Sequence, residues 1–198
     1  MVCVLTQEHM MKAAARAIRN AWVDLLGRVP WDLFITLTLD PKRYARSGQE
    51  SWLKAWEWFL WTWCKETAIA DGVAWEDELT GKLKGPWANG WRHGRRPVWV
   101  LVLEPHDNGK LHAHVLLRFN AGGLLRLDWS AGQAIWEANR GKWCRFEVPR
   151  SQEDVCGYVA KYVLKGGDLA LGSLVLSDNF QAPRITPAAV GGVGESAE

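Results

Sequence analysis

Hydrophobic residues recur along this chain with two periods, and the changes between them outline the elements. Spacings of three and four predict helices over Gln7 to Leu26, Glu50 to about Ala70, Ser130 to Asn139, and Ser151 to the Gly166-Gly167 pair. Apolar runs and alternation predict strands over Trp31 to Leu39, Pro97 to Glu104, Leu111 to Phe119 and Trp143 to Val148, and allow one more between Asp168 and Leu176. This order predicts an α+β domain with helices packed on an antiparallel sheet of about five strands.

Three of the helices carry an apolar stripe that we expect to face the core. These stripes are Met11, Ala14, Ala15, Ile18, Trp22, Leu25 and Leu26; Trp52, Trp56, Phe59, Leu60 and Trp63; and Ala131, Ala134, Ile135 and Ala138. The chain has 14 tryptophans, and aromatic platforms can bind single-stranded nucleic acid. We interpret most of them instead as bulky filling between helix and sheet.

The segment from Asp71 to Pro97 has no regular pattern and is longer than an ordinary connection, which favours a functional insertion. It closes with Arg92, Arg95 and Arg96 beside Trp91, a combination that suits phosphate and base contacts, and a solvated loop is the open alternative. Thr36 and Thr38 share one face of the first strand. They are candidates for lining a DNA groove, although strand propensity also accounts for them.

Composition sets the size and class of the protein. With 198 residues and 48% hydrophobic content, the chain can form one domain with a sizeable core. We expect an N-terminal helix over 1–30, a main domain over 31–182 with the insertion at 71–97, and a disordered tail over 183–198. The formal net charge of +2 does not by itself indicate a nucleic-acid binder, so any DNA contact must come from local clustering.

Cysteine usage and hydropathy predict a compartment. The chain has no Cys-x-x-Cys pair, which favours reduced thiols over disulfides or zinc. The four cysteines are Cys3, Cys64, Cys144 and Cys156. No charged-then-apolar signal opens the sequence and no apolar run approaches about 18 residues. These features predict a soluble intracellular protein.

Two histidines lie on the second strand of a predicted hairpin, separated by a single residue. Side chains alternate along a strand, so His112 and His114 face the same side and can bind one cation together. A two-residue turn at Asn108-Gly109 would leave Glu104 on the other face, whereas a longer loop or a bulge brings it opposite the histidines. We favour the longer loop, with His106 as the competing third ligand.

The last helix carries two tyrosines and two lysines on one stripe. These are Tyr158, Lys161, Tyr162 and Lys165. Ser151 and Asp154 predict a capping box where the helix begins. Such a stripe often marks only the edge of a core. Beside a metal-polarised phosphate, however, a phenol can act as a nucleophile, and a neighbouring ammonium can stabilise its charge.

Three segments together resemble the ordered motifs of rolling-circle replication initiators, the HUH endonucleases. They are FITLTLDP (Phe34 to Pro41), GKLHAHVLL (Gly109 to Leu117) and YVAKYVLK (Tyr158 to Lys165). The paired tyrosines are most similar to the two-tyrosine class represented by the gene A proteins of small icosahedral phages. The resemblance covers roughly Trp31 to Gly167. It implies an RRM-like, ferredoxin-like fold with the histidines on central strands and the tyrosine helix laid over them.

The resemblance also implies a chemistry. Glu104, His112 and His114 would hold a divalent metal, Mn²⁺ or Mg²⁺. Tyr158 or Tyr162 would cut single-stranded DNA at an origin, leaving a 5′-phosphotyrosine link and a free 3′-hydroxyl that primes synthesis. Lys161 and Lys165 are the matching charge stabilisers. The implied partners are single-stranded or hairpin origin DNA and host replication proteins, with no membrane, in the cytoplasm of a prokaryotic host of a plasmid or virus.

Two other hypotheses stay open on the sequence. A transposase or a plasmid-transfer relaxase shares much of this chemistry and differs in the DNA on which it acts. A non-catalytic RRM-type module would instead stack tyrosines and tryptophans on bases and keep the histidines as structural residues. The sequence contains no glycine-rich Walker motif, so we expect no fused helicase.

Overall fold

The computed structural model describes residues 7–40, 42, 48–93, 95–105, 111–119, 127–163 and 174–181. The helices in this part of the chain are α1 (Gln7–Gly27), α2 (Gln49–Ala70), α3 (Pro86–Arg92), α4 (Trp129–Asn139) and α5 (Gln152–Val163). The strands are β1 (Leu33–Leu39), β2 (Trp75–Glu76), β3 (Leu83–Lys84), β4 (Val98–Pro105), β5 (Leu111–Arg118), β6 (Gly141–Glu147) and β7 (Leu174–Leu176). Their bounds lie close to the predicted ones, while the expected tail from Pro183 lies outside the described residues.

Five of the strands form one antiparallel sheet in the order β6-β1-β5-β4-β7, which confirms the predicted α+β class. Along the chain, β1, α2, β4, β5, α4 and β6 follow the β-α-β-β-α-β connection of ferredoxin-like domains. This topology places β1 and β5 side by side near the middle of the sheet. Residues on these two strands therefore have neighbours on both sides.

One face of the sheet is covered by α2 and α4, and the predicted tryptophan stripe of α2 lies there. Trp52, Trp56, Phe59, Leu60 and Trp63 are all buried, which confirms the interpretation of these residues as core. The α3 helix joins the same core through Trp87 and Ala88. Alternate residues of β1, beginning with Leu33, point into it, as the strand period requires.

The other face is covered by α1 and α5. Its buried residues are Leu26, Val29, Trp31, Val100, Val102, Leu116, Cys156 and Val159. The predicted core stripe of α1 is correct only toward its C-terminal end, where Trp22 and Leu26 pack on this cluster. Met11 is 63% exposed, so the first turns of α1 extend beyond the surface that the sheet and α5 offer.

The predicted inward face of α4 is wrong. Gly132 and Trp136 are the buried residues of this helix, while Ala134 and Ala138 are exposed. The bulkiest side chain decides the rotation, because the Trp136 indole fills the core and donates a hydrogen bond to the carbonyl oxygen of Thr38 at 3.2 Å. A glycine at 132 is needed because an added Cβ would lie 2.6 Å from the Trp63 ring.

The expected irregular insertion also has its own structure. Strands β2 and β3 form a two-stranded ribbon, and α3 follows it directly. The described cysteines, Cys64, Cys144 and Cys156, are buried free thiols, as predicted, and Cys3 lies outside the described residues. Within the ranges given above, no helix is long and apolar enough to cross a membrane.

Candidate active site

Each histidine of β5 lies directly opposite a threonine of β1. Thr38 is paired with His112 and Thr36 with His114 in the strand register. The hydroxyl of Thr38 lies 3.0 Å from His112 Nδ1, and that of Thr36 lies 3.2 Å from His114 Nδ1, so each pair shares a hydrogen bond. Opposed residues in a sheet share a face, and the register therefore produces these contacts. The threonines orient the imidazoles; whether they also contact DNA stays a prediction.

Glu104 lies on the same face as the histidines, on the strand next to theirs. It is opposite His112 in the register, as the longer hairpin loop requires. Its Oε2 atom lies 3.0 Å from His114 Nε2, across the diagonal of the strand pair. The prediction that Glu104 joins the histidines is therefore confirmed in position. The competing ligand His106 lies outside the described residues.

His114 is buried, being only 5% exposed. Burial lowers the pKa of His114, and the neighbouring Glu104 carboxylate opposes that shift without reversing it. The imidazole is therefore neutral at physiological pH. Neutral imidazole is the form that binds metal ions.

Tyr158 of α5 lies against the same histidine. The centroid of its ring is 5.1 Å from that of His114, in an edge arrangement at 86°. Phe34 completes the group, because it stacks on His114 at 5.7 Å and meets Tyr158 edge-on at 5.5 Å. Tyr158 remains 38% exposed, so the phenol is both beside the imidazole and open to solvent. The two sequence motifs thus converge in space.

The start of α5 explains how this tyrosine is positioned. Ser151 Oγ accepts a hydrogen bond from the backbone N–H of Asp154 at 3.2 Å, the first half of the predicted capping box. Val159 and Cys156 pack against the sheet below, which sets the rotation of the helix. Lys161 is exposed on α5. The side chain of Tyr162 and all of Lys165 lie outside the described residues.

The donor set fits a divalent cation, although it is not arranged around one. Among the residues that the structure describes, no group of three or more His, Cys, Asp or Glu side chains forms a ready ligand set. The reason is visible at Glu104, which bonds directly to His114 Nε2, the atom that a metal would take. Two imidazoles held through Nδ1 and one adjacent carboxylate are nevertheless donors of the right kind.

The predicted arginines lie apart from this site. Arg92 donates to the carbonyl oxygen of Leu83 at 2.6 Å, and Arg96 pairs with Asp178 at 3.2 Å. Arg95 is exposed nearby, just after α3. Since α3 packs on the α2 face of the sheet, these arginines are separated from the histidines by the sheet itself. Their contact with DNA stays a prediction.

Three residues near the site were not singled out from the sequence. Phe34 contacts both His114 and Tyr158, while Trp143 and Arg145 of β6 lie opposite Thr38 and Thr36. The signal for the β6 pair was the alternation Trp143-Cys144-Arg145-Phe146, in which the second and fourth residues face the core. That pattern places Trp143 and Arg145 on the face of the histidines.

Comparison with known proteins gives one result. Residues 32–167 match the model of a family described as Replication-associated protein ORF2. A search of curated proteins found no match, and neither did a search of solved structures. The matched range begins at the start of β1 and extends beyond α5, so it includes all the strands and side chains that form the site.

Proposed function

Because the chain belongs to the Replication-associated protein ORF2 family, a family of replication proteins, we propose that it is an initiator that nicks single-stranded origin DNA. We assign it to the two-tyrosine HUH endonucleases of rolling-circle replication. The observation that carries this proposal is the 5.1 Å contact between the Tyr158 and His114 rings. It brings a candidate nucleophile to a pair of imidazoles that can serve a phosphate.

In the proposed reaction, the phenol oxygen of Tyr158 attacks the phosphorus of a DNA phosphodiester, and the bond from phosphorus to the 3′ oxygen breaks. The phenol loses its proton and the leaving 3′ oxygen gains one. The products are a 5′-phosphotyrosine and a free 3′-hydroxyl. Lys161, three residues after Tyr158 on the same helix, stabilises the negative charge of the phenolate and the phosphorane.

Tyr162 follows Tyr158 by one helical turn and is the proposed second nucleophile, with Lys165 in the place that Lys161 has for Tyr158. Two phenols on one stripe allow a strand held on the first to be passed on while the second acts. The energy of the cut bond is kept in the phosphotyrosine. Rejoining therefore needs no nucleotide cofactor.

Glu104, His112 and His114 would hold the divalent metal, which when bound would polarise a non-bridging oxygen of the phosphate. Two nitrogens and one carboxylate make a softer set than the oxygen shells that Mg²⁺ prefers, so we expect Mn²⁺ to bind at least as well. The Glu104–His114 hydrogen bond must open for this. The Thr36 hydroxyl can still bond to Nδ1 afterwards, because a hydroxyl can donate or accept.

A non-catalytic single-strand-binding module is the second candidate. The closed hydrogen bond between Glu104 and His114 favours it, since a purely structural histidine would be buried and paired in the same way. The two functions differ in one observable product. Only the endonuclease forms a covalent bond with DNA.

The test is a denaturing gel of the protein mixed with a random-sequence library of single-stranded DNA and Mn²⁺. We expect a slow-migrating covalent adduct that chelator prevents and that Tyr158→Phe with Tyr162→Phe abolishes. Tyr44→Phe is the matched control, because Tyr44 is the remaining tyrosine of the chain. Sequencing the DNA recovered from the adduct would identify the nicked site.

Two results would contradict the proposal. An adduct that persists in the double tyrosine variant would remove the tyrosines from the reaction. Salt-sensitive, reversible binding with no adduct in Mn²⁺ would favour the binding module. Within the endonuclease class, cleavage confined to one sequence or hairpin favours an initiator or a relaxase, while excision and joining of two distinct ends favours a transposase.

A further inference from the structure

The outermost strand β6 places a second set of side chains on the face that carries the histidines. Along this strand, Cys144 and Phe146 pack into the core on the α2 face. Trp143 is paired with Thr38 and Arg145 with Thr36 in the register with β1. Because directly opposed residues share a face, Trp143 and Arg145 point to the same side of the sheet as the two histidines.

Strand pairing arranges these side chains in two rows across the sheet. One row is Trp143, Thr38, His112 and Glu104, and the next is Arg145, Thr36 and His114. Neighbouring strands are about 4.8 Å apart, so Trp143 lies roughly 10 Å from His112. A nucleotide adjoining a phosphate bound at the histidines would extend over that distance.

The far end of the first row is open to solvent. Trp143 is 46% exposed, and Arg145 is exposed beside it. The buried cluster under α1 and α5 occupies the other side of this face, around Val100 and Leu116. An indole and a guanidinium on an uncovered sheet surface, in line with a phosphate site, are the two groups that single-stranded nucleic acid recognition uses.

We propose that Trp143 stacks on a base next to the phosphate held at the histidines, and that Arg145 contacts the phosphate beside that base. This inference rests on the proposed function, because it takes the histidine site as the place of the scissile phosphate. Stacking on an indole tolerates any base. The platform therefore fixes the path of the strand and leaves sequence choice to other contacts.

The partner of Arg145 does not prevent this role. Arg145 pairs with Glu147 at 2.8 Å, and both side chains are partly exposed to solvent. An ion pair in that setting contributes little, so a phosphate can compete for the guanidinium. Glu147 also holds Arg145 on the strand before DNA arrives, which keeps the arginine close to Trp143.

The test measures binding without cleavage. The full chain carrying Tyr158→Phe and Tyr162→Phe is titrated, in chelator, into a fluorescently labelled mixed-sequence single-stranded oligonucleotide, and anisotropy gives the Kd. We expect Trp143→Ala to weaken binding by about 5-fold to 150-fold, the range of one lost base stack. Trp143→Phe should recover most of it. Trp75→Ala is the matched control, because Trp75 is 51% exposed on the separate β2–β3 ribbon.

Arg145 gives a different signature. Arg145→Ala should lower the slope of log K against log salt by about 0.7, the value for one phosphate contact on a single strand. A series of oligonucleotides with one abasic position provides a further check. We expect one position to weaken binding by the parent chain and to have little further effect on Trp143→Ala, since both changes remove the same stack.

The outcomes separate this inference from the nicking proposal. Trp143→Ala binding as tightly as Trp75→Ala would overturn the platform, even if the wild-type chain forms the covalent adduct. A parent chain that does not bind the oligonucleotide would overturn it too. Weakened binding by Trp143→Ala together with no adduct from the wild-type chain would leave the platform standing and remove the nicking reaction.

Discussion

Replacing Thr38 by valine tests whether the imidazoles are held for a metal. Valine keeps the shape and the β-branched preference for strands while removing the hydroxyl that contacts His112 Nδ1 at 3.0 Å. His112 would then lose the partner that fixes its ring orientation and tautomer. The free imidazole has more orientations to lose when it binds an ion, so the affinity for Mn²⁺ should fall.

The size of the effect separates the metal hypothesis from a purely structural one. Loss of one hydrogen bond costs about 0.5–1.5 kcal/mol of folding stability. Loss of the group that orients a metal ligand typically costs about 10-fold to 100-fold in metal affinity, or roughly 1.4–2.7 kcal/mol. The weakened binding should thus be larger than the change in stability, and it should appear as a higher Mn²⁺ concentration for half-maximal adduct formation.

The assay is a Mn²⁺ titration of the covalent adduct, together with calorimetric titration of Mn²⁺ into the DNA-free protein. Thr38→Ser is the matched control, since it keeps the hydroxyl. Excess Mn²⁺ should restore the adduct in Thr38→Val but not in the His112→Ala, His114→Ala double variant. That double variant should still fold and bind single-stranded DNA.

Either of two results would refute this reasoning. A Thr38→Val protein with an unchanged Mn²⁺ titration would show that the hydroxyl does not support a ligand. A Thr38→Val protein that loses its activity at every Mn²⁺ concentration would point to a role for Thr38 in the DNA path, as the sequence suggested, and not in metal binding.

Two further predictions concern stability. The pKa of His114 is lowered from its ordinary value of 6.5 in the folded chain, so the unfolded chain binds the proton first as pH falls. The contribution of His114 is therefore full above about pH 6.5 and is lost progressively below it; urea midpoints at about pH 7.5 and about pH 5.5 should differ less in His114→Gln than in the wild type. Gly141→Ala should cost about 1–3 kcal/mol or more in thermal unfolding, because its Cβ would lie 1.7 Å from Trp136 Nε1, whereas Gly157→Ala, with nothing within 4 Å, should not destabilise the chain.

The parts of the site that were predictable follow from periods that the sequence displays directly. Alternation along β5 places both histidines on one face, and the long hairpin loop places Glu104 opposite His112. The capping serine and the apolar stripe of α5 fix where that helix begins and which side it buries. These features depend on near neighbours in sequence or on a single hairpin, so local patterns determine them.

The remaining parts depend on packing between elements that are distant in sequence. The rotation of α4 could not be read from its alanines, because the pocket for Trp136 is formed by α2 and β1. The hydrogen bonds from Thr36 and Thr38 depend on which strand pairs with β5, and that choice follows from the sheet order. For the same reason, the role of Phe34 beside Tyr158 becomes visible only when α5 is docked.

The pairing of β1 with β5 also explains why a strand in the first motif belongs to the site at all. That strand contributes no metal donor of its own, yet each of its outward residues touches a group proposed to act. Thr38 holds His112, Thr36 holds His114, and Phe34 lies between His114 and Tyr158. A slip of one residue in this pairing would turn all three into the α2 core and replace them with Ile35 and Leu37. The burial of those two residues therefore stabilises the one register in which the imidazoles are supported and the phenol has a surface to rest on.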